Sequence, residues 1–218
     1  MSKVKLVWAT PKGEDLLGYM ARVSNPDAKP NDPASRLIRY LIKHQHWSPF
    51  EMVDMCVEIS TTRDIGRQLL RHRSFFFQEF SQRYADVTLL PSAEYRPARM
   101  QDPNNRQNSI PTDDRYTHKW WEEMQRGVES VTHQVYERAL ARGLAKEVAR
   151  AVLPEGLTAT RMYMKGSLRS WIHFCQLRMG NGTQRETQEI AERCYALLDK
   201  QYPSVAEALR ETQSPLPS

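Results

Sequence analysis

The sequence has 218 residues, a mass of 25.4 kDa, a formal net charge of +5 and a pI of about 9.1. This length is enough for one domain with its own hydrophobic core, and we predict a single domain over 1–218 with a disordered tail at about 213–218. The mean hydropathy of -0.67 and the lack of any run of roughly 18 apolar residues argue against a membrane protein. No secretory pattern opens the chain, so we predict a cytoplasmic location.

The positive charge comes mostly from arginine that is spread through structured segments, and there is no lysine-rich tail. Such a distribution favours separate sites for small anions over a continuous track for nucleic acid. The cysteines Cys56, Cys175 and Cys194 form no Cys-x-x-Cys pair and have no metal-ligand spacing. We therefore interpret them as core residues and predict no bound metal.

The first third of the chain alternates strands and helices. Period-two alternation predicts a strand over Lys3–Ala9 and another from 52 to about 61, with Val53, Met55, Val57 and Ile59 on one face. Apolar residues at helical spacing predict helices from 11 to about 23 and from about 32 to the segment 43–46. A loop rich in proline, asparagine and aspartate lies between them at 25–33.

The stretch 67–84 combines four arginines, a histidine, a carboxylate and four phenylalanines. Ile65 and Leu69 predict that it begins as a helix, and the pattern after Phe77 predicts an extended segment. In that segment Glu79, Ser81 and Arg83 should share one face. Arginine forks bind phosphate and a glutamate accepts from a hydroxyl or a ring N–H, so these residue types suit a nucleotide. The alternative is a solvated basic helix beside a buried aromatic strand.

The remainder of the chain is predicted to be mainly helical. Residues 91–111 are irregular and polar, which is typical of a functional or mobile loop. A long helix should span 112 to about 142, with its period set by the apolar residues from Trp120 to Ala139. A short helix over 145–153, a strand over 157–164 and helices over 167–178 and 183–201 complete the pattern. The fold class is therefore α/β (α+β), with a central, mainly antiparallel sheet flanked by helices.

A second polar cluster lies downstream and consists of Arg150, Arg169, His173, Arg178, Gln184 and Glu186. Each of these residues also has a structural interpretation. Arg150 would suit an exposed helix face, and His173 would suit a satisfied core histidine beside Trp171 and Phe174.

The two clusters together resemble the flavin-dependent thymidylate synthases. The family pattern Arg-His-Arg-x-x-Ser-x-Asn-Glu-x-Ser-x-Arg-Tyr is matched at Arg71, His72, Arg73, Glu79, Ser81, Arg83 and Tyr84. It departs at Phe76, where serine is usual, and at Gln78, where asparagine is usual. A His-x-Ser-Pro-Phe-Glu segment at 46–51 and the segments around Arg150, Arg169 and Arg178 also resemble family motifs. The likeness runs in matching order from about residue 15 to about residue 200.

The resemblance implies the thymidylate synthase-complementing protein fold, in a homotetramer whose active sites lie where subunits meet. It implies a methyltransferase that converts dUMP to dTMP, with FAD, NADPH and 5,10-methylenetetrahydrofolate as cofactors, and no partner nucleic acid or membrane. Flavin contacts fall on His46, Ser48, Arg71, His72, Arg73, Glu79, Ser167, Leu168, Arg169 and His173. Nucleotide contacts fall on Gln68, Leu69, Leu70, Arg71, Glu79, Phe80, Ser81, Gln82, Arg83, Arg150 and Arg178, of which Arg178 is the catalytic candidate.

Two alternative functions remain at this point. The departures at Phe76 and Gln78 leave open a family member with another pyrimidine substrate, such as dCMP. A single-stranded nucleic-acid binder would also use arginines and stacked phenylalanines, but it does not explain the downstream match.

Overall fold

The computed structural model describes residues 2–24, 33–92 and 94–212. Its main sheet is antiparallel and has four strands in the order β1-β2-β6-β3, and a separate two-stranded hairpin joins β4 to β5. Within the described residues the strands are β1 (Lys3–Ala9), β2 (Asp54–Thr62), β3 (Phe75–Glu79), β4 (Arg99–Gln101), β5 (Ser109–Pro111) and β6 (Ala159–Ser167). The predicted fold class is confirmed.

The centre of the sheet is formed by β2 and β6, because both strands present an apolar face to the same core. Met55, Val57 and Ile59 of β2 are fully buried, and so are Met162 and Met164 of β6. The prediction ended the second of these strands near 164. It continues to Ser167 because its last three residues still pair with the first three of β2.

The helices of the described residues are α1 (Gly13–Ala21), α2 (Ala34–Lys43), α3 (Arg63–Leu69), α4 (Arg115–Ala141), α5 (Lys146–Ala149), α6 (Leu168–Arg178), α7 (Arg185–Gln201) and α8 (Pro203–Thr212). Of these, α3, α6 and α7 contact strands of the main sheet directly. Trp171 of α6 lies at the heart of the core, where it is fully buried and donates its indole N–H to the carbonyl of Met55 at 2.9 Å. The three cysteines are free and buried, as predicted.

The extended segment predicted after Phe77 is wrong beyond Glu79. The ladder of β3 ends there, and the amides of Tyr84 and Ala85 both donate to the carbonyl of Ser81 in a turn. The amide of Phe80 still donates to the carbonyl of Arg161 of β6 at 2.8 Å, but the chain turns at Ser81 before the ladder can continue. Alternating letters do not record such a turn. Glu79, Ser81 and Arg83 therefore do not share one face of a strand.

The long loop predicted over 91–111 contains regular structure. Arg99 pairs with Pro111, and Met100 pairs with Ile110, in the β4–β5 hairpin. Three-residue strands that include a proline carry too little periodic signal to be recognised in a sequence. The predictions for 25–32 and 213–218 lie outside the described residues.

The apolar residues that set the period of α4 do lie along one side of the helix, but the described part of the chain does not cover them. Trp120, Met124, Val128, Val131 and Val135 of that predicted set are between 44% and 63% exposed, and the adjacent Trp121 is 37% exposed. The side of α4 that packs on its own chain is carried instead by Gln125 and Tyr136. Helix α8, which no sequence pattern had indicated, closes the core with Val205, Ala206 and Leu209.

Candidate functional site

The candidate site begins where α6 ends beside the turn between α3 and β3. Arg178, the last residue of α6, donates its Nε–H to Nε2 of His72 at 2.9 Å. The His72 ring lies edge-on to Phe174, with 5.0 Å between ring centroids, and also contacts Phe75. The contact unites the two clusters that the sequence analysis had identified separately.

The environment of His72 keeps its ring neutral. Burial, and then the positive charge of Arg178, lower the pKa of His72 from 6.5 to about 4. A neutral ring with Nε2 as acceptor carries its proton on Nδ1. Among the described residues, the terminal nitrogens of Arg178 have no hydrogen-bond partner, so they are available to a ligand.

Gln68 on α3 is held by the beginning of α7. Its amide donates to Oε1 of Gln184 at 2.7 Å and accepts from the hydroxyl of Thr187 at 2.9 Å. Gln184 in turn donates to Glu186, which accepts from Arg99 of β4 at 2.6 Å. Burial would raise the pKa of Glu186, but the hydrogen bonds from Arg99 and Gln184 outweigh it and hold that pKa below 4.5. Arg99 is therefore a structural support of the site that the sequence analysis missed.

Both arginines of the Arg-His-Arg motif lack a carboxylate partner among the described residues. Arg71 and Arg73 are exposed, and neither forms an ion pair with a carboxylate in the part of the chain that the structure describes. By contrast, Arg67 pairs with Glu155 at 3.0 Å and Arg83 pairs with Glu147 at 3.3 Å. The unpaired guanidinium groups leave this edge of the site suited to an anion.

A second group of predicted residues lies at the other end of α6. Ser167 caps this helix by accepting from the amide of Ser170 at 3.3 Å. Both Ser167 and Arg169 are hydrogen-bonded to Glu51, which lies in the 3₁₀ turn Ser48–Met52 with Ser48. The turn and the start of α6 therefore form one surface.

Histidines border this second group. The ring of His173 is edge-on to Trp47 at 4.9 Å between centroids. Burial, and then the charge of Arg169, lower the pKa of His173, while Glu51 partly opposes the change. His46 is exposed and lies near Tyr40, with ring centroids 5.9 Å apart.

The carboxylate of Glu79 interacts with two side chains of its own chain. Its Oε1 accepts from the hydroxyl of Thr160 at 2.7 Å and lies 3.5 Å from a terminal nitrogen of Arg63, which is only 9% exposed. One carboxylate oxygen thus compensates a buried guanidinium, which fixes the rotamer of Glu79. Neither Thr160 nor Arg63 could be identified from the sequence as a partner of Glu79. Both belong to elements whose residue pattern reflects packing in the core.

The turn after β3 carries the remaining predicted residues. Gln82 is buried, and its Nε2 has no hydrogen-bond partner among the described residues. Arg83 reaches α5 through Glu147, and Arg150 follows directly after that helix.

Some predicted contacts have no accessible side chain. Leu69 and Leu168 are fully buried in the core, so a ligand could meet only their main-chain atoms. Phe80, Ser81 and Leu70 are half-buried.

The two departures from the family pattern lie away from Glu79. Phe76 and Gln78 alternate with Glu79 along β3 and therefore project from the opposite face of the sheet. Phe76 is 72% exposed, and Nζ of Lys165 lies 5.5 Å from its ring centroid. Neither residue shapes the side of β3 that carries Glu79, which removes the structural reason for expecting another pyrimidine substrate.

Other kinds of site find little support. Burial raises the pKa of Cys175 to about 12 and that of Cys194 well above 9.0, so neither is suited to be a nucleophile. In the described ranges there is no group of three or more histidine, cysteine, aspartate or glutamate side chains that could hold a metal ion. None of the helices in those ranges is long and apolar enough to cross a membrane.

Comparisons with known proteins agree with this geometry. A protein-family model described as "Thymidylate synthase complementing protein" matches residues 5–204. The chain is 50% identical to the flavin-dependent thymidylate synthase of Synechocystis sp. over 196 residues, which cover 90% of this chain and 89% of that protein. It is 47% identical to a probable flavin-dependent thymidylate synthase of Paramecium bursaria Chlorella virus 1, with 90% of each chain covered.

A solved structure shares the whole fold. The crystal structure of PolB, a UMP/dUMP methylase from Streptomyces cacaoi bound with 5-Br dUMP, superposes with a TM-score of 0.83 at 28% sequence identity. The match covers 100% of this chain and 98% of PolB.

Proposed function

This chain belongs to the family of flavin-dependent thymidylate synthases, and we propose which of its residues carry out the reductive methylation of dUMP to dTMP. The chain is a methyltransferase, and its activity depends on a flavin. The observation that carries the assignment of residues is the contact between Arg178 and the neutral ring of His72, beside the unpaired Arg71 and Arg73.

FAD fits the donor groups of the site. Its pyrophosphate is anionic, and the exposed guanidinium groups of Arg71 and Arg73 match that charge. The hydroxyl of Ser48 and the guanidinium of Arg169 supply donors on the adjoining surface, and the oxygen of Ser167 supplies an acceptor. We assign flavin binding to His46, Ser48, Arg71, His72, Arg73, Glu79, Ser167, Leu168, Arg169 and His173, with Leu168 acting through its main chain. When bound, the flavin supplies the hydride that completes the methyl group.

The nucleotide is assigned to the adjoining cationic surface. Gln82, buried with an unpaired Nε2, offers a donor that no protein group satisfies among the described residues. Arg83 pairs with Glu147 of α5, and Arg150 directly follows that helix. We assign both guanidinium groups to the phosphate. The full set is Gln68, Leu69, Leu70, Arg71, Glu79, Phe80, Ser81, Gln82, Arg83, Arg150 and Arg178.

Arg178 acts on the uracil ring. For C5 to attack a one-carbon unit, negative charge must develop on the ring and its oxygens, and a cation beside them stabilises that charge. His72 accepts the Nε–H of Arg178, which leaves the terminal nitrogens of Arg178 for the uracil ring. A charged His72 would repel Arg178, and its lowered pKa keeps it neutral at physiological pH.

The co-substrates follow from the atoms that must be supplied. The bond from C5 to hydrogen is replaced by a bond to a methyl group. This requires a carbon at the oxidation level of a methylene group, one hydride, and loss of the C5 proton. We propose 5,10-methylenetetrahydrofolate as the carbon donor and NADPH as the reductant of the flavin. A cytoplasmic location and a single catalytic domain remain predictions from the sequence.

We also propose that the enzyme is a homotetramer with active sites between subunits. Trp121, Met124, Val128, Val131 and Val135 are spaced by three and four residues in turn, which is the spacing of a helix–helix seam. The exposed seam extends over about 20 Å of α4, and isolated chains rarely leave an apolar stripe of that length uncovered.

Product analysis tests the proposed reaction. The purified protein is incubated with FAD, NADPH, 5,10-methylenetetrahydrofolate and either dUMP, dCMP or UMP, and the products are identified by mass spectrometry. We expect dTMP from dUMP and much slower methylation of dCMP, because Phe76 and Gln78 leave the Glu79 side of the site unchanged. Methylation of dCMP in preference to dUMP would contradict the substrate assignment.

A further inference from the structure

Glu51 forms the link between two segments of the proposed flavin site. Its Oε2 accepts from the hydroxyl of Ser167 at 2.5 Å, and its Oε1 accepts from a terminal nitrogen of Arg169 at 2.9 Å. Each oxygen of one carboxylate thus holds a different residue of the α6 start. Glu51 itself lies in the same 3₁₀ turn as Ser48, so the carboxylate ties the turn to the helix.

These contacts fix what Ser167 can offer to a ligand. The Ser167 hydroxyl donates its only hydrogen to Glu51, and its oxygen accepts from the Ser170 amide. The side chain therefore cannot rotate without breaking either the helix cap or the bond to Glu51. A ligand meets Ser167 in one rotamer and as an acceptor.

The same carboxylate orients Arg169. A free arginine side chain loses about 2 kcal/mol of rotamer entropy when it is immobilised. The contact with Glu51 imposes that order before a ligand arrives, and it occupies only one of the terminal nitrogens of Arg169. The other N–H groups have no partner among the residues that the structure describes, so they can donate to a ligand.

Fold stability does not account for the pair. The side chains of Arg169 and Glu51 are each 43% exposed, and exposed ion pairs contribute only about 0.2–1 kcal/mol. The backbone bond from the Leu168 amide to the carbonyl of Val53 at 2.7 Å already joins the start of α6 to the residue before β2, without any help from Glu51.

We propose that Glu51 is a positioning residue for the flavin: it sets the rotamer of Ser167 and the direction of the Arg169 guanidinium, and so lowers the entropic cost of binding FAD. This inference rests on the proposed assignment of Ser167 and Arg169 to the flavin site. Glu51 itself need not touch the cofactor.

The test compares Glu51→Gln with a matched control. Glu207→Gln removes a carboxylate of similar exposure that lies 2.9 Å from Arg39 on the α2–α8 side of the fold. Full-length protein is stripped of flavin, FAD is titrated back with flavin fluorescence as the readout, and the Tm of each flavin-free variant is recorded. We expect Glu51→Gln to weaken FAD binding about tenfold, which corresponds to ~1.4 kcal/mol. Its Tm should remain within about 2 °C of the parent, and Glu207→Gln should change neither quantity.

A second comparison identifies the route of the effect. Arg169→Gln should weaken FAD binding in the parent but much less in the Glu51→Gln background, because the orientation of Arg169 is already lost there. Equal FAD affinity of Glu51→Gln and parent would overturn the inference, and so would a lowered Tm that accounts for the whole loss of affinity. A parent protein that takes up no FAD would contradict the proposed function itself, together with this inference.

Discussion

Arg178 and His72 are 106 positions apart in sequence and share one hydrogen bond. Because His72 is neutral, it can hold the guanidinium of Arg178 without competing with it for a negatively charged uracil ring. The pair therefore offers two direct tests of the proposed chemistry.

Replacing Arg178 with lysine keeps the charge but removes both the Nε donor to His72 and the forked terminal nitrogens. We expect kcat/KM for dUMP to fall by about 10²–10³, the typical loss when one group that stabilises developing charge is removed. FAD should still bind. Arg185→Lys, at an exposed arginine that pairs with Glu189 on α7, is the control and should retain parental activity. A fall of the same size in both variants would contradict the role given to Arg178.

The lowered pKa of His72 predicts a pH effect on stability. Because the folded protein resists protonating this ring, the unfolded chain binds the proton more readily between 6.5 and about 4. The free energy of unfolding should therefore fall as the pH drops through that window. Above pH 6.5, His72 should make no pH-dependent contribution to it. Comparison of the Tm near pH 7 with the Tm near pH 5 should show a larger loss for the parent than for His72→Gln, which cannot titrate. Equal losses would show that His72 is not the group involved.

The placement of β3, and with it Glu79, depends on one glycine of β6. A Cβ added to Gly166 would lie 2.5 and 2.7 Å from two carbons of the Phe75 ring, closer than such contacts occur. Phe75 also contacts Trp171 and His72, so it has little room to move away.

Gly166→Ala should therefore cost about 1–3 kcal/mol of stability, the usual range for an overpacked core. Urea denaturation at fixed protein concentration measures it. Gly156→Ala is the matched control, because the nearest atom to its added Cβ is the end of the Arg96 side chain at 4.0 Å. This control should change stability by less than about 0.5 kcal/mol. A Gly166→Ala protein as stable as the parent would show that Phe75 is free to repack.

Elements with a strong period could be predicted from the sequence, and those defined by distant partners could not. The core stripe of β2 and the helix around Ile65 and Leu69 were correct because burial imposes the period directly. The end of β3 and the start of α8 depend on where other elements lie. No local pattern records that dependence.

The same distinction applies to the candidate site. Arg178, His72 and Arg169 were found because their motifs are continuous in sequence. The contacts of Glu51, Arg63 and Arg99 were not predicted, because each joins a residue to an element far along the chain. Supporting residues of this kind need the fold before they can be recognised.

The uncovered stripe of α4 predicts assembly. Replacing both Val128 and Val131 with glutamate places charges in the middle of the seam, and we expect light scattering after gel filtration to show a smaller species than the parent. Activity should fall with it, since the proposed sites need a neighbouring subunit. Ser130→Glu adds a charge to an exposed position of the same helix outside the seam and should leave the mass unchanged. An unchanged mass for the double variant would place the subunit contact elsewhere.

Flavin and nucleotide sites that adjoin through His72 and Arg178 should influence each other, and flavin reduction measures this most directly. Protein carrying FAD is mixed with NADPH without oxygen, and bleaching of the flavin absorbance is followed with and without dUMP. We predict a yellow protein that NADPH bleaches faster when dUMP is present. A colourless protein that takes up no added FAD, or a flavin whose bleaching is indifferent to dUMP, would contradict a shared site.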